Sequence, residues 1–482
     1  MRIKSLKVKD FYILKDFEIK FNNNLSVLIG ENGSGKSTLL ELIADIFGHL
    51  HKFFILNDRD AAYDEGYQIV YDYPLYGINH TIEIHSKTKN GKYVPQIWID
   101  KENVSIAHIE KEYGGMSNLL PTKIILSYSG VSDHLRSLSE HFEEKYKNEI
   151  IKVNNQYTLS PLNLPKERPF IYIKPEHLSM LVLSILMSDE IRDEQFINNF
   201  LSIDKYNCEI NFIFKRPSWA RNNDEQWWGI KGNVATMFFE KIDEYADNCI
   251  KEKDRLTYRF RGTFNLKLAF DELNTSQKDI AFTILDTLLY DDLLSEINIS
   301  WKLEDGDEMD LNRLSEGQKQ VVLTQGVTLI YGEEEKNLLL LFDEPDVFMH
   351  PKWQQNYVEN VRNSLDDTSM AIITSHSPNI VSDLKNQNLH LLRNGKVITK
   401  TLKYYGKTVD NILGDYFGLE STRSNDVTTK IEVLWQLIQQ GKYDAPSFEE
   451  KMKELISIIG ADDFEIMAMN RDILRKRHEK AK

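Results

Sequence analysis

Cysteine is scarce in this chain of 482 residues, which contains only Cys208 and Cys249. The two residues lie far apart and form no CxxC pair, so we expect neither a disulfide framework nor a zinc site. Long apolar runs are missing as well: no stretch of the sequence approaches the ~20 residues of a membrane-spanning helix, and the first residues lack the apolar core of a signal peptide. The sequence therefore predicts a cytoplasmic protein without membrane association.

Internal repeats and low-complexity segments are also absent, and the charge has the wrong sign for a protein that coats nucleic acid. Lysine and arginine total 59 against 74 aspartates and glutamates, which gives a net charge of −15. A local basic groove is still compatible with this balance. With 41% hydrophobic and 28% charged residues, the composition is that of a globular protein long enough for two or three domains.

Two short motifs lie close together in the last third of the chain: LSEGQ at positions 314–318 and LLLLFDEP at positions 338–345. The apolar residues 338–342 predict a strand buried on both faces, as in a parallel sheet. Such a strand brings Asp343 and Glu344 to the carboxyl edge of the sheet, where open α/β sheets bind ligands. We interpret Asp343 as a carboxylate that holds Mg²⁺ and Glu344 as the group that orients or deprotonates an attacking water.

The LSEGQ motif predicts a helix start that can accept a phosphate. Ser315 can cap the apolar helix that follows, and Gly317 lets the backbone come close to a ligand. A helix cap alone would explain Ser315. It would not explain the whole motif, including Gln318, with an acidic strand end behind it.

A phosphate-binding pattern lies near the start of the chain. GENGSGKST at positions 30–38 matches GxxxxGK[ST] in its required setting, after a buried strand and before a helix. Lys36 can reach the β- and γ-phosphate oxygens, and Ser37 offers its hydroxyl to Mg²⁺. The residues predicted to bind ATP in this loop are Asn32, Gly33, Ser34, Gly35, Lys36, Ser37 and Thr38.

Two further apolar runs end in polar residues. Residues 370–374 lead into Ser375 and His376, and a histidine at a strand end can hydrogen-bond a γ-phosphate or the attacking water. An isolated histidine there is more often structural, but its place in an ordered series of motifs favours a functional role. Residues 123–126 lead into a polar stretch at 127–130 that could carry a γ-phosphate sensor. No glutamine marks one, so that role stays unassigned.

The motifs GENGSGKST, LSEGQ, LLLLFDEP and SHSP stand in the order found in ABC-type ATPase heads. Residues 1–50 and 311–400 resemble the SMC and RecF-like branch of that family. The resemblance implies an ATPase with a two-lobed head that binds ATP and Mg²⁺ and dimerises head to tail on the nucleotide.

The same resemblance implies a role for each motif residue. Ser315, Gly317 and Gln318 of one chain would contact the nucleotide held by Lys36 and Ser37 of the other. Asp343 would assist Mg²⁺, Glu344 would be the catalytic base and His376 the switch histidine. One position departs from the pattern, because His350 stands where SMC-like proteins carry the aspartate of the D-loop. The chain also lacks a long heptad coiled coil and a zinc-hook CxxC, so we do not expect a tether.

Between the two groups of motifs, residues 135–305 carry no nucleotide motif and predict an inserted, mostly helical lobe. Helical periodicity covers 178–187, 234–250 and 279–294, and strands are expected at 210–214 and 256–260. Ahead of this lobe, short strands within 58–100, with a hairpin turn at Asn90–Gly91, predict an antiparallel sheet.

One stretch of the lobe combines cations with aromatic residues, namely Lys215, Arg216, Trp219, Arg221, Trp227 and Trp228. This composition could stack and neutralise single-stranded nucleic acid. The tryptophans could equally anchor the lobe onto the head, and we favour packing.

The sequence YYGKTVDNILGDYFG at 404–418 resembles a segment of bacterial anti-phage ATPases, the PtuA-type ATPases of Septu systems and their retron-associated relatives. By its own pattern it is an amphipathic helix that ends at Gly418. Helical patterns at 428–440 and 447–459 extend it into a small C-terminal helical unit. The basic residues at 471–482 are typical of a solvated helix end, with contact to DNA or to an acidic partner as the alternative.

The Septu resemblance implies an ATPase subunit of an anti-phage complex, a homo-oligomer built from ATP-sandwich dimers that regulates a separate HNH nuclease of the PtuB type. We find no HNH, Toprim or paired-cysteine metal pattern in the sequence itself. One alternative is a RecF- or SMC-like DNA-repair ATPase that clamps DNA. Another is the nucleotide-binding subunit of a transporter, although the long gap between the phosphate loop and LSEGQ is hard to fit to a subunit docked on membrane helices.

Together these patterns predict an α/β fold: a P-loop ABC-type ATPase head with an antiparallel β subdomain, an inserted mostly helical lobe and a small C-terminal helical unit. The expected boundaries are 1–134 for the N-terminal part of the head, 135–305 for the lobe, 306–403 for the C-terminal part of the head and 404–482 for the helical region.

Overall fold

The computed structural model of this chain describes residues 1–58, 66–89, 92–130, 134–153, 168–218, 220, 226–230, 233–273, 278–303, 306–332, 335–385, 389–398, 403–419 and 421–480. The predicted turn at Asn90–Gly91, and Trp219 and Arg221 of the cation-rich stretch, lie outside these residues. The chain divides into two compact units, Met1–Gly406 and Lys407–Lys482. No helix among the described residues is long and apolar enough to cross a membrane.

The strands of the described residues are, in chain order, β1 (Arg2–Phe11), β2 (Leu14–Lys20), β3 (Leu25–Ile29), β4 (Tyr67–Leu75), β5 (Ile78–Lys89), β6 (Lys92–Ile99), β7 (Glu102–Val104), β8 (Ile124–Tyr128), β9 (Phe170–Tyr172), β10 (Glu209–Lys215), β11 (Asn248–Lys251), β12 (Arg255–Arg261), β13 (Leu294–Lys302), β14 (Glu308–Asp310), β15 (Leu339–Asp343), β16 (Met370–Thr374), β17 (Leu389–Arg393) and β18 (Lys396–Ile398).

The α-helices are α1 (Lys36–Phe54), α2 (Ile106–Tyr113), α3 (His134–Val153), α4 (His177–Leu186), α5 (Ile191–Phe196), α6 (Asn233–Tyr245), α7 (Phe264–Asp271), α8 (Lys278–Tyr290), α9 (Glu316–Tyr331), α10 (Pro351–Gln354), α11 (Tyr357–Asn363), α12 (Pro378–Asp383), α13 (Val409–Phe417), α14 (Asn425–Gln439), α15 (Pro446–Ile459) and α16 (Phe464–Lys480).

A seven-stranded sheet in the order β18-β17-β3-β16-β15-β8-β9 forms the centre of the first unit. Its strands are parallel except for β18, which pairs antiparallel with β17. Every residue of β3, β15 and β16 is buried, which matches their mostly apolar sequences. Because the parallel strands share one direction, the residues that follow β3, β8, β15 and β16 meet at one edge of the sheet.

A six-stranded antiparallel sheet, in the order β2-β1-β4-β5-β6-β7, confirms the predicted antiparallel subdomain. Helix α1 contributes Leu39, Ile43 and Phe47 to a hydrophobic core that includes Ile69 of this sheet and Leu341 of the central sheet. The helix that begins at the phosphate loop is therefore held in the core between the two sheets.

The inserted region combines helices with a third sheet, five-stranded and antiparallel, in the order β11-β12-β10-β13-β14. The predicted strands at 210–214 and 256–260 are confirmed as parts of β10 and β12. The predicted helix at 234–250 is wrong in its last turn, because α6 ends at Tyr245 and β11 follows. Pairing of β11 with β12 supplies hydrogen bonds there that a helical extension would have to give up.

Trp227 and Trp228 pack within the inserted region. The Trp227 ring stacks on Phe239 at a centroid distance of 5.6 Å, and its indole nitrogen donates to the Tyr258 hydroxyl. Trp228 is buried and donates to the carbonyl oxygen of Lys253 across 3.0 Å. These contacts favour packing over a stacking surface for single-stranded nucleic acid. They hold the two tryptophans within the inserted region, however, and do not anchor the lobe onto the head as predicted.

The second unit consists of the helices α13 to α16. Helix α13 ends at Gly418, which has a left-handed φ of 72°, as its sequence predicts. Helices α14, α15 and α16 share a hydrophobic core of their own, to which Leu434, Leu455 and Ile466 contribute fully buried side chains. The unit therefore has the internal packing of a small helical domain.

Candidate active site

The phosphate loop follows β3 directly and turns the chain into α1. Gly35 caps α1 with a left-handed φ of 102°, and a Cβ at this position would lie 2.9 Å from Leu14 Cδ2. The left-handed φ favours glycine here, whereas the contact with Leu14 involves only the end of a flexible side chain. The loop therefore directs the N-terminus of a 19-residue helix at the carboxyl edge of the sheet, which is the arrangement that receives phosphate groups.

Lys36 is buried within this loop, with 4% of its surface exposed. Its ammonium donates to the carbonyl oxygens of Gly30 at 3.0 Å and Glu31 at 3.2 Å. Burial lowers the pKa of Lys36, while the carboxylates of Glu344 and Asp343 oppose that shift. The ammonium is thus held at the loop by weak neutral acceptors that a phosphate oxygen can replace.

Asp343 ends β15 and is fully buried. Its Oδ1 accepts hydrogen bonds from the Ser37 hydroxyl at 3.1 Å and from the Thr374 hydroxyl. Among the described residues no hydrogen bond reaches Oδ2, which lies 3.6 Å from His134 Nε2. A buried carboxylate oxygen without a donor, beside a serine hydroxyl, fits the oxygen ligands that Mg²⁺ prefers.

His134 is the first residue of α3 and faces Asp343 from the other side. The neighbouring Asp343 carboxylate raises the pKa of His134, against the opposing effect of burial. Sequence reasoning located a polar strand end just ahead of this residue but assigned no side chain to it. His134 belongs to no recognisable sequence motif. It reaches the site only because the tertiary structure places the start of α3 beside the end of β15.

Glu344 directly follows β15 in a left-handed backbone conformation with φ of 51°. Its N–H donates to the Thr374 hydroxyl across 2.8 Å, which helps to hold this strained turn. The side chain remains partly exposed, and Oε1 lies 3.2 Å from His376 Nε2. A carboxylate in this position can accept a proton from water, and the histidine can orient that carboxylate.

A second buried carboxylate, Asp346, connects the turn after β15 to the turn after β16. Its Oδ2 accepts from the Ser375 hydroxyl at 2.8 Å, and Gln354 donates to its backbone carbonyl at 3.1 Å. Burial raises the pKa of Asp346 to about 6. The loops that carry Glu344 and His376 are therefore tied together below the surface.

The LSEGQ motif starts α9, and Ser315 and Gln318 form a reciprocal capping box there. A Cβ on Gly317 would lie 2.4 Å from the carbonyl oxygen of Phe348, so this helix start packs directly on the turn that follows Asp346. His350 accepts a hydrogen bond from the Lys352 N–H and caps α10.

The structure thus brings together Lys36, Ser37, Asp343, Glu344 and His376 of the predicted site. Between the described residues, no hydrogen bond or ion pair joins Ser315, Gly317 or Gln318 of the same chain to the phosphate loop.

Thr374 was not predicted as a site residue, although it contacts both Asp343 and Glu344. In the part of the chain that the structure describes, no group of three or more His, Cys, Asp or Glu residues could hold a metal ion.

Comparison with known proteins gives a family match and full-length relatives. The family model described as an AAA ATPase domain matches residues 1–381. The retron Vc95 probable ATPase of Vibrio cholerae is 20% identical over 94% of this chain and 86% of its own length. Septu protein PtuA of Bacillus thuringiensis is 23% identical over 88% of this chain and 85% of its own length. Among solved structures, an SMC head bound to the C-terminal winged-helix domain of ScpA is 14% identical, with a TM-score of 0.36 over 83% of this chain and 98% of that one.

Proposed function

Since the chain belongs to the AAA ATPase domain family and is an ATPase, we propose that Lys36, Ser37, Asp343, Glu344 and His376 form its ATP-hydrolysing centre. The observation that carries this proposal is the shared hydroxyl of Thr374. It contacts the Asp343 carboxylate and also accepts from the Glu344 N–H, so one side chain sets the positions of both acidic groups. Asn32, Gly33, Ser34, Gly35 and Thr38 complete the proposed phosphate site.

Each side chain has one task in this proposal. Lys36 exchanges its backbone acceptors for phosphate oxygens and neutralises their charge. Ser37 and Asp343 hold Mg²⁺, which supplies positive charge to the phosphate oxygens when bound. Glu344 takes the proton of the attacking water, and His376 at 3.2 Å keeps the Glu344 carboxylate in place.

The proposed active form is a head-to-tail dimer in which the LSEGQ motif of one chain faces the phosphate loop of the other. The helix start at Ser315 has no bond to its own phosphate loop among the described residues, and its N–H groups suit a phosphate. Val347 and Phe348, beside Gly317, expose about half of their surfaces, at 51% and 52%. A second copy would cover these apolar side chains as it contributes its nucleotide.

We further propose that the chain is the ATPase subunit of an anti-phage complex and controls a separate HNH nuclease. The support is the similarity to a Septu protein and to a retron ATPase along most of both chains. The helical unit 407–482 has a hydrophobic core of its own and contains none of the proposed nucleotide-binding residues.

The test is particle size by light scattering for wild type and Glu344→Gln, with and without Mg-ATP, in the presence of the protein encoded beside this chain. Glu344→Gln removes the proton acceptor and keeps the phosphate contacts, so we expect an ATP-dependent dimer or larger assembly that also contains the nuclease. An ATP-dependent assembly that never contains a nuclease contradicts the defence-complex proposal. A variant without any response to ATP contradicts the proposed site itself.

A second candidate function, DNA clamping, is favoured by one surface of the inserted region. Arg255, Arg259 and Arg261 alternate along β12 with the buried Leu256, Tyr258 and Phe260, so the three arginines share one face of the five-stranded sheet. The neighbouring strand adds Lys215 opposite Arg255 and Asn211 opposite Arg259. Glu209 lies 3.3 Å from Arg259 and reduces the positive charge of the face.

Salt-dependent binding of a short DNA duplex tests this candidate. The double variant Arg255→Glu, Arg261→Glu should lower the salt slope of the binding constant by roughly 2, since each phosphate contact contributes about 0.9. Lys9→Glu with Lys20→Glu is the matched control, because it removes the same charge from exposed positions of β1 and β2. If the wild-type ATPase alone does not bind DNA at low salt, this second function is excluded.

A further inference from the structure

A cavity of about 370 Å³ lies between the central sheet and the inserted region, and none of its lining residues belongs to the proposed active site. Its wall is formed by the second half of α1 with His51, by α3 with Phe142 and Tyr146, by α8 with Thr283, and by Tyr331 at the end of α9. The volume falls in the range of ~300–1,000 Å³ that is usual for small-molecule pockets.

Among the buried polar atoms of the wall, His51 Nε2 and Arg168 Nε have neither a hydrogen bond nor an ion pair within the described residues. His51 is 5% exposed and Arg168 is 9% exposed. The terminal nitrogens of Arg168 are already used, because they contact Asp286 and the Tyr290 hydroxyl. Buried polar groups in folded proteins almost always have partners, so two orphaned atoms in one cavity wall point to a ligand that supplies them.

The charges of the wall cancel. The wall carries three cations and three carboxylates, namely Lys123, Lys145, Arg168, Glu149, Asp279 and Asp286. Arg168 pairs with Asp286, and Lys145 lies 3.9 Å from Glu149. Burial lowers the pKa of His51 to about 4, so its ring is neutral at pH 7. A ligand of either net charge would therefore leave its own charge uncompensated in the cavity, and an uncharged ligand fits better.

Three aromatic side chains, Phe142, Tyr146 and Tyr331, belong to the remaining wall. The Phe142 ring stacks on Phe170 at a centroid distance of 4.6 Å, and the His51 ring meets both of them edge-on. Planar ligands match such surfaces, because aromatic rings pack in stacked or edge-to-face pairs.

We propose that this cavity binds an uncharged planar heterocycle that both donates and accepts hydrogen bonds, the chemistry of a nucleobase or nucleoside, with His51 Nε2 and Arg168 Nε as its polar contacts. The Arg168 N–H donates to a ring nitrogen or carbonyl oxygen of the ligand. The neutral His51 ring donates or accepts according to its tautomer. This binding does not depend on the roles proposed for Glu344 and His376.

The ligand contacts two helices that begin at the nucleotide site. Helix α1 runs from Lys36 to the cavity, a distance of roughly 22 Å from Lys36 to His51 at ~1.5 Å per residue. Helix α3 begins at His134, 3.6 Å from Asp343 Oδ2, and carries Phe142 and Tyr146 into the cavity wall. A ligand that fixes these helices changes the affinity for ATP, and ATP changes the affinity for the ligand by the same factor.

Isothermal titration with adenosine, guanosine, cytidine and uridine at millimolar concentration tests the site, with ribose as the negative probe. The protein is Glu344→Gln saturated with Mg-ATP, so that the nucleotide site is already filled. The second protein adds His51→Phe, which keeps a ring of similar shape and removes the orphaned nitrogen. The matched control adds His390→Phe, because His390 is also buried, also lacks a partner at Nε2 among the described residues, and packs on Phe21 instead of the cavity.

We expect at least one nucleoside to bind, with affinity roughly tenfold weaker after His51→Phe, the effect of one lost hydrogen bond, and unchanged after His390→Phe. A third variant, Thr283→Phe, fills the cavity and should abolish binding. If no nucleoside binds, or if His51→Phe binds as well as the parent protein, the proposal is overturned. If binding is seen but ATP affinity is the same with and without the nucleoside, the coupling through α1 and α3 is overturned.

Discussion

The Ser37 hydroxyl lies 3.1 Å from Asp343 Oδ1 and joins the start of α1 to the end of β15. This bond connects two motifs that lie 306 residues apart in the sequence, and Asp343 Oδ2 has no hydrogen-bond donor among the described residues. The pair is arranged so that a cation can be shared between a hydroxyl and a carboxylate.

Replacing Ser37 by alanine should therefore remove the Mg²⁺-dependent part of ATP affinity. We expect wild type to lose affinity when EDTA is added, whereas Ser37→Ala should bind ATP equally weakly with and without the metal. Fluorescent-nucleotide titration measures both values. Ser26→Ala is the control, since Ser26 is buried in β3 and its hydroxyl has no partner among the described residues. Retention of the full metal effect in Ser37→Ala would exclude Ser37 as a ligand.

Thr374→Val should impair the site and the fold together. The hydroxyl contacts the Asp343 carboxylate and accepts from the Glu344 N–H, and valine keeps the shape but leaves both partners without it. The Glu344 N–H then lacks an acceptor, whereas Asp343 Oδ1 still accepts from Ser37. The free energy of unfolding should fall by about 1–3 kcal/mol, and the ATPase rate should fall more than ATP affinity does. Urea titration and steady-state kinetics measure these effects. Thr374→Ser keeps the hydroxyl, so it should stay close to wild type; equal losses in both variants would mean that the methyl group matters instead.

Asp346→Asn should stabilise the protein more at neutral than at acidic pH. Burial raises the pKa of Asp346 to about 6, against 3.8 for an ordinary aspartate, so between these values the folded state keeps a proton that the unfolded state has lost. The wild-type free energy of unfolding therefore falls across this window as pH rises, by up to about 3 kcal/mol at ~1.4 kcal/mol per pKa unit. Asparagine does not titrate, and it can still accept from Ser375.

Urea titrations between pH 4.5 and pH 7.5 should therefore show a stability difference, Asp346→Asn minus wild type, that grows with pH up to about 6 and then stays level. Asp72→Asn is the control. Although burial opposes ionisation of Asp72, Arg2 and Lys4 lower the pKa of this carboxyl, so no such growth is expected. A pH-independent difference for Asp346→Asn would mean that Asp346 ionises as readily in the folded protein as in the unfolded chain.

The strands of the central sheet could be predicted because each is marked by a pattern within a few consecutive residues. A fully apolar run that ends in Asp343 and Glu344, or in Ser375 and His376, indicates a buried parallel strand and the edge where its neighbours end. The start of α1 could be predicted for the same reason, since Gly35 and Lys36 belong to one contiguous motif.

The contacts of Thr374 and His134 could not be predicted, because they depend on how distant elements are aligned. Thr374 reaches Asp343 only because β15 and β16 pair in a parallel register with Phe342 opposite Ile373. His134 reaches Asp343 through the placement of α3, which no residue pattern encodes locally. The strand β11 was mistaken for helix for a related reason: its four residues are too few to show a period of their own, and pairing with β12 decides their conformation.

Two glycines of helix α9 should respond in opposite ways to the same substitution. A Cβ on Gly317 would lie 2.4 Å from the Phe348 carbonyl oxygen, a backbone atom that cannot turn aside as a side chain would. Gly317→Ala should therefore shift the turn at Phe348 and lower the free energy of unfolding by about 1–3 kcal/mol, as overpacking does. A Cβ on Gly326 would meet Ile185 Cδ1 at 3.5 Å, an ordinary contact, and alanine favours a helix over glycine by about 1 kcal/mol, so Gly326→Ala should be neutral or stabilising. Urea titration compares the stabilities of the two variants. Light scattering with and without Mg-ATP then shows whether the shifted turn also weakens ATP-driven assembly. We expect this weakening for Gly317→Ala alone. Equal stability of the two variants would mean that the turn at Phe348 adapts at no cost and does not hold the LSEGQ helix in place.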